Sequence, residues 1–268
     1  MRLYFSLAAN KVSNRVFIGK NYDCLISYYY TKGELKKWFI EQGLLNTKTL
    51  VDSGAFSAFN SGKVIELKDY IKFLKEVGAE IYSALDVIGD PHETLLNYNK
   101  MKEQGMNPIP CFHTGEPLKF LDEILHENYI SLGGMVHAEG VEDWLDKVFN
   151  YIFKKNPLIK IHGFGLTDPN LMLKYPWYSV DSSSWLACVK YGRFSKWNQH
   201  KRLFSTISVQ EFFNLSPMEW TKGDKINGAL MDHIIEAQVG EFMQMVEYLL
   251  HKKNTRDYNY ITSQQTLF

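Results

Sequence analysis

Short apolar runs alternate with longer amphipathic stretches along most of this chain. Eight runs stand out: RLYFSLAA (2–9), DCLISYYYT (23–31), TLVDSG (49–54), EIYSALDVIG (80–89), NPIPCFHTG (107–115), YISLGGMV (129–136), IKIHGFGL (159–166) and WYSVDSSSW (177–185). Apolar stretches of this length, bounded by Gly, Pro, Asn and Asp, predict strands. Between them, GELKKWFIEQGLL spaces Leu35, Trp38, Phe39 and Leu45 for one face of a helix. LKDYIKFLKEVG does the same with Leu67, Tyr70, Ile71 and Leu74, and Gly78 stands where a helix cap belongs. DPHETLLNYNKMKEQG opens on Asp90 and Pro91, a cap followed by the residue best tolerated in a first helical turn. GVEDWLDKVFNYIFKKN is a further amphipathic helix, whereas residues 10–22 read as loop.

Eight strands alternating with helices predict an α/β fold, a TIM-like (β/α)8 barrel. An open doubly wound sheet is the runner-up, but no GxGxxG follows the first strand. The expectation is one domain over residues 1–268. After about residue 186 the pattern changes. KYGRFSKWNQHKRLF is basic and aromatic, MDHIIEAQVGEFMQMVEYLL reads as a long closing helix, and NTRDYNYITSQQTLF is a polar tail. The barrel is therefore expected to carry a C-terminal helical extension.

Composition narrows the class. Apolar residues make up 45% and charged residues 22%, a globular profile. No apolar run is long enough to span a bilayer, and no signal-peptide layout is present, so a cytoplasmic protein without a membrane partner is expected. Lys plus Arg and Asp plus Glu are 30 each, so any basic footprint for a nucleic acid must be local. The candidate is Lys190, Arg193, Lys196, Lys201 and Arg202, with Trp197 among them; the plainer alternative is a solvated loop. Cys24, Cys111 and Cys188 are far apart and form no CxxC pair, which predicts packing rather than a zinc knuckle or a disulfide. No metal and no cofactor are expected.

The strand ends hold the candidate chemistry. Asp52 ends the third run, Asp86 the fourth, His113 the fifth, Gly133, Gly134 and Met135 the sixth, His162 the seventh and Asp181 the eighth. In a parallel barrel, chemistry sits on the face where strands finish. A turn cap would explain Asp52 alone, but six consecutive strand ends of this kind point to one site. Paired carboxylates suit chemistry at an anomeric carbon, one attacking and the other handling the leaving group's proton. A third acid can read N–H donors of a base, glycines let backbone approach a flat ligand, and Phe56 can stack on it. A divalent ion held by Asp and His is the weaker reading.

These motifs resemble the tRNA-guanine transglycosylase superfamily. DSGAFS is similar to the family's DSGGFQ-like motif at Asp52, Ser53, Gly54 and Phe56, and LGGM to its Gly-Gly backbone site at Gly133, Gly134 and Met135. The resemblance implies a nucleophile at Asp181, a proton shuttle at Asp52 and base readers at Asp86 and His113. It also implies that Phe56 and His162 cover the base. His113 stands where the family usually has Gln. The Cys-x-Cys-x-x-Cys zinc site of the family's tRNA enzymes is absent from this sequence, and DSSSW replaces the usual nucleophile context. The compact zinc-free pattern looks more like phage-type DNA deazaguanine transglycosylases. What this implies is exchange of guanine in a polynucleotide, DNA favoured over tRNA, for a free 7-deazaguanine base such as preQ0. A homodimer is one expected assembly. The alternatives are a tRNA enzyme, an N-glycosidic hydrolase and a metal-dependent barrel hydrolase.

Overall fold

The computed structural model describes residues 1–46, 48–136, 138–216 and 228–265, with side chains described through residue 254. Each predicted apolar run supplies one strand: β1 Arg2–Ser6, β2 Cys24–Ser27, β3 Leu50–Asp52, β4 Ile81–Tyr82, β5 Cys111–His113, β6 Tyr129–Gly133, β7 Lys160–Gly163 and β8 Ser179–Ser182. They form a single eight-stranded sheet in the order β4-β3-β2-β1-β8-β7-β6-β5, and every pairing is parallel. This is the α/β alternation of a TIM-like fold. The strands are shorter than the runs that contain them. Run 80–89 contributes only Ile81–Tyr82 to the ladder. Just beyond it, Ser83 makes an isolated parallel bridge to Ile109. Ile109 N–H donates to Tyr82 O and Ala84 N–H to Ile109 O, both at 2.8 Å, so the end of β4 meets the segment that precedes β5.

Helices follow the strands: α1 Lys11–Asn14, α2 Gly33–Glu41, α3 Ala55–Asn60, α4 Leu67–Val77, α5 Pro91–Glu103, α6 Leu118–Asp122 and α7 Val141–Lys155. α1, continued by a 3-10 turn over Arg15–Phe17, lies where a loop was expected. Asn10 caps it by accepting the Ser13 N–H, a polar signal too short to show as periodicity. Asp90 caps α5 by accepting from His92 N–H and Glu93 N–H, as its place before Pro91 predicts. The apolar stripe of α4 is buried through Tyr70, Ile71, Phe73 and Leu74. One core cluster gathers Tyr4, Leu25, Leu50 and Ile109, with Ile81, Tyr129 and Phe164 against it. Parallel strands buried on both faces need such near-continuous apolar runs.

The chain divides into two compact units. The one described so far comprises Arg2–Leu166 and Trp177–Ser183. The other comprises Met1, Thr167–Pro176 and Ser184 onward, a boundary close to the change of pattern near residue 186. It contains α8 Pro169–Lys174, α9 Ala187–Tyr191, the antiparallel pair β9 Arg193–Asn198 and β10 Leu203–Ser208, α10 Val209–Phe212 and the closing helix Gly228–Gln265. The basic and aromatic segment is thus a hairpin, not an open loop. Closing-helix side chains bond the backbone of β9: Ser195 N–H donates to Gln238 Oε1, Gln238 Nε2 donates to Ser195 O, and Trp197 N–H donates to Glu241 Oε2. The helix covers the start of the polar tail, whose last three residues lie outside the described residues.

Gly54 joins β3 to α3 in the left-handed region, with φ of 76°. A Cβ there would sit 2.4 Å from Ser27 Oγ and 2.5 Å from Tyr29 Cβ. Gly78, the α4 cap, is also left-handed but has open space around it. Gly78→Ala should therefore cost about 1 kcal/mol, the backbone term alone. Gly54→Ala should cost more than about 2 kcal/mol, because overlap adds to the same strain. Urea unfolding of the two variants checks the order; equal losses would remove the packing argument.

Candidate active site

Asp52 is the last residue of β3, paired in register with Ser27 of β2. Its Oδ2 accepts the Gly54 N–H at 2.9 Å, and Ser83 Oγ stands 3.5 Å from Oδ1. Ser83 is itself held, since its Oγ accepts the Ser53 N–H at 3.1 Å. Two donors are few for a carboxylate enclosed this way. Burial, then the charges of Asp86 and Asp181, push the Asp52 pKa up from 3.8 to about 7. Asp52 is therefore poised to hold or release a proton near neutrality.

Asp86 follows β4 and faces His113, the last residue of β5. His113 Nε2 lies 3.4 Å from Asp86 Oδ2 and 3.4 Å from Cys111 Sγ. On the other side of the ring, Nδ1 lies 3.1 Å from Glu116 Oε1, and Glu116 Oε2 accepts the His113 N–H. Burial opposes charge on His113, but Cys111, Asp86 and Glu116 together raise its pKa. Burial pushes the Cys111 thiol up, so the thiol is neutral and the two carboxylates are what hold the His113 proton. Asp86 Oδ1 is buried and has no hydrogen-bond partner among the described residues. An orphaned acceptor of this kind is costly unless a ligand's donor satisfies it.

Gly133 ends β6 opposite His113. A Cβ on Gly133 would lie 2.7 Å from His113 Cδ2 and 3.0 Å from Cys111 Sγ. The absence of a side chain is what lets the imidazole and thiol occupy that space. Thr114 Oγ1 donates to Gly134 O, fixing the neighbouring loop. No metal cluster is visible in the sequence spacing, but folding brings ligand atoms of Asp86, Cys111 and His113 within 4.8 Å of one another.

Asp181 sits on β8, in register with Tyr4 of β1. Ser6 Oγ donates to its Oδ2 at 2.7 Å and the Gly165 N–H to its Oδ1 at 2.8 Å. His162 Nε2 is 3.3 Å from Oδ1 but is not aligned for a hydrogen bond, and it is buried without another partner. His162 Nδ1 is 2.7 Å from Ser179 Oγ, which is 2.6 Å from the Tyr129 hydroxyl.

A cavity of about 650 Å³ opens over these strand ends. Asp52, Phe56, Asp86, His113, Gly133 and Gly134 line it. Phe56 is 60% exposed, an apolar ring free to meet a ligand. Other expected residues lie elsewhere. Ser53 is buried, and its Oγ accepts the Ala55 N–H at the start of α3. The Met135 side chain is buried, and its carbonyl accepts the Ala138 N–H. His162 is fully buried, and the wall at its strand end is formed by Phe164 and Gly165. Asp181 stands behind Gly165, with 10% of its side chain exposed. Glu116 was missed in the sequence. Its signal was the spacing His-Thr-Gly-Glu, which turns the chain back on the imidazole. Ser6, Ser83, Ser179 and Tyr129 gave none, because small hydroxyls and a strand tyrosine look like core. Lys190, Arg193, Lys196, Lys201 and Arg202 are all exposed, on α9, β9 and the hairpin turn of the other unit. Trp197 among them is buried.

Comparison with protein-family models and with curated proteins finds no match to this chain.

The Asp52 shift has a signed consequence. An unfolded Asp releases its proton near 3.8, whereas the folded protein holds it to about 7. The folded state thus binds more protons between those values, and stability from this group falls as pH rises through that window, then levels off. Asp52→Asn should remove the slope. Its stability relative to wild type should grow from about pH 4 to about pH 7 and stay constant above it. Chemical denaturation across pH checks this; a constant difference would mean that Asp52 titrates normally.

Proposed function

We propose that this chain is a base-exchange glycosyltransferase that replaces guanine in a polynucleotide, DNA in preference to tRNA, with a 7-deazaguanine base. The observation that carries the reading is the gathering of Asp52 and Asp86 in one cavity, with Asp181 close enough to raise the Asp52 pKa. The fold reading that accompanies it is a closed (β/α)8 barrel, supported by the Ser83–Ile109 bridge between residues that flank β4 and β5.

In this scheme the target nucleotide leaves the stack. An Asp181 oxygen bonds to C1′ as the C1′–N9 bond breaks and its electron pair passes to the base. Asp52, protonated near neutrality, gives that base its proton. The replacement base enters, returns its N9 proton to Asp52 and attacks C1′, and Asp181 departs as carboxylate. The orphaned Asp86 Oδ1 accepts from an N–H of the base, the Gly133–Gly134 backbone borders its plane, and Phe56 stacks on it at about 1–3 kcal/mol. The exposed Lys and Arg of the hairpin unit are candidates for phosphate contacts.

Labelled guanine or a labelled 7-deazaguanine should enter polymeric DNA in the presence of the protein. A denaturing gel should show a protein–nucleic acid adduct that maps to Asp181 and is lost in Asp181→Asn. Asp52→Asn should slow exchange by about 10²–10⁴-fold while leaving the adduct able to form. An adduct on Asp52 would reverse the two roles, and base release into water without incorporation would make the protein a hydrolase.

A second reading is favoured by the Asp86, Cys111 and His113 cluster, whose His113 has a carboxylate behind its far nitrogen as metal-bound histidines commonly do. Three ligands and an open position would suit a metal-assisted hydrolase. Elemental analysis separates the two. Base exchange predicts no stoichiometric metal and full activity after chelation; about one ion per chain, lost together with activity, selects the hydrolase.

A further inference from the structure

Beneath the cavity runs a polar chain that the proposed reaction does not yet use. Tyr129 on β6, His162 on β7 and Ser179 on β8 lie on adjacent strands, and Ser179 is two positions before Asp181 on the same strand. Strand residues two apart share a face. The Tyr129 hydroxyl, Ser179 Oγ and His162 Nδ1 are joined by contacts of 2.6 and 2.7 Å, and His162 Nε2 ends the series 3.3 Å from Asp181 Oδ1. His162 is fully buried, packed edge-on against Phe164 at 4.6 Å and Tyr4 at 6.0 Å between ring centroids. A fully buried imidazole packed against two rings does not turn over readily, so its two nitrogens keep their neighbours.

The proton order along this chain follows from donor counting. Burial keeps Tyr129 a phenol, so it has one proton to place. Ser179 Oγ is its hydrogen-bond partner among the described residues. If Tyr129 donates to Ser179, the serine's own proton is free to go to His162 Nδ1. The imidazole proton then stands on Nε2, directed at a carboxylate. The reverse order turns the phenol proton out of the chain and points an Nε2 lone pair at the Asp181 carboxylate, where two acceptors would face each other. We propose that Tyr129 and Ser179 form a tautomer lock that presents the Nε2–H of His162 to Asp181, making His162 a positioning residue for that carboxylate. The groups facing Asp181 are then Ser6 O–H, Gly165 N–H and the His162 Nε2–H, set against Asp52, whose charge would repel it once the Asp52 proton is released.

The consequence for exchange rests on the proposed role of Asp181 as nucleophile. A donor at Oδ1 stabilises the free carboxylate more than the sugar ester, whose oxygens carry no full charge. It therefore favours breakdown of the adduct over its persistence. The present 3.3 Å contact is loose, as hydrogen bonds in unliganded active sites often are, and tightens as charge returns to Asp181.

Two sets of measurements test this. The first needs no substrate. Nitrogen-15 NMR of wild-type protein should show the His162 proton on Nε2 alone, and Ser179→Ala should disturb that preference. Carbon-13 titration of the Asp181 carboxyl should show its pKa shifted upward in His162→Phe and returned toward wild type in His162→Gln, which restores an N–H donor. A proton on Nδ1, or on both nitrogens, overturns the lock, and so does an Asp181 titration that His162→Phe leaves unmoved. The second set reads the reaction. In His162→Phe turnover should fall while the trapped adduct rises several-fold, and His162→Gln should reverse both. Adduct and turnover falling together, with a lowered melting temperature, would reduce His162 to a packing residue. If the spectra behave as expected but no nucleic acid gives an adduct in wild type, the lock stands and the exchange reading fails.

Discussion

Negative charges gathered at one end of a sheet repel one another and resist burial, and the rest of this site is an answer to that constraint. Asp52, Asp86 and Asp181 meet it in three ways. Asp181 is given donors, from Ser6, the Gly165 backbone and the neighbourhood of His162. Asp86 is given a counter-charge, His113, which Glu116 supports from the far side of the ring. Asp52 receives little and keeps its proton instead. An acid left partly unsupported between two better-supported ones is the arrangement by which proteins separate proton affinities within one pocket.

Backbone geometry follows from the same constraint. Several of the donors are main-chain N–H groups, from Gly54 to Asp52 and from Gly165 to Asp181. Each donor glycine is left-handed, with φ of 76° at Gly54 and 63° at Gly165, a turn that other residues adopt only with strain. The strands beneath are short because the chain leaves the ladder early to make these turns. β3 ends on Asp52, and β4 leaves the ladder several residues before Asp86. The apolar cluster around Tyr4, Leu25, Leu50 and Ile109 supplies the rigidity that such brief ladders lack.

Much of the architecture was legible in the sequence. Parallel strands buried on both sides must be apolar throughout, so each of the eight runs was visible. Asp90–Pro91 and Gly78 marked helix ends for reasons of local backbone chemistry alone. Within the site, Asp52, Asp86, His113 and the Gly133–Gly134 pair could be located because polar or bare residues at strand ends break an apolar pattern. What stayed hidden depended on side-chain direction or on distant pairing. Ser53 reads like a ligand contact in its motif, but its hydroxyl is used by the turn into α3. His162 reads like a pocket wall, yet the strand pleat turns it into the core. The hairpin was hidden because β9 donates backbone hydrogen bonds to Gln238 and Glu241, more than forty residues away, and no local pattern reports such partners.

The missing side chain at Gly133 also limits how this site can change over generations. The volume beside it is already taken by His113 and Cys111 from the adjoining strand. Any mutation at Gly133 introduces a Cβ into that occupied space, so β6 can contribute backbone to the cavity but cannot readily acquire a new side chain there. A lineage seeking a different ligand would first have to replace His113 or Cys111 with something smaller, and that step would disturb the support of Asp86. Selectivity is thus free to drift where the wall is open, around Phe56 and Val136, and is entrenched where imidazole, thiol and glycine interlock.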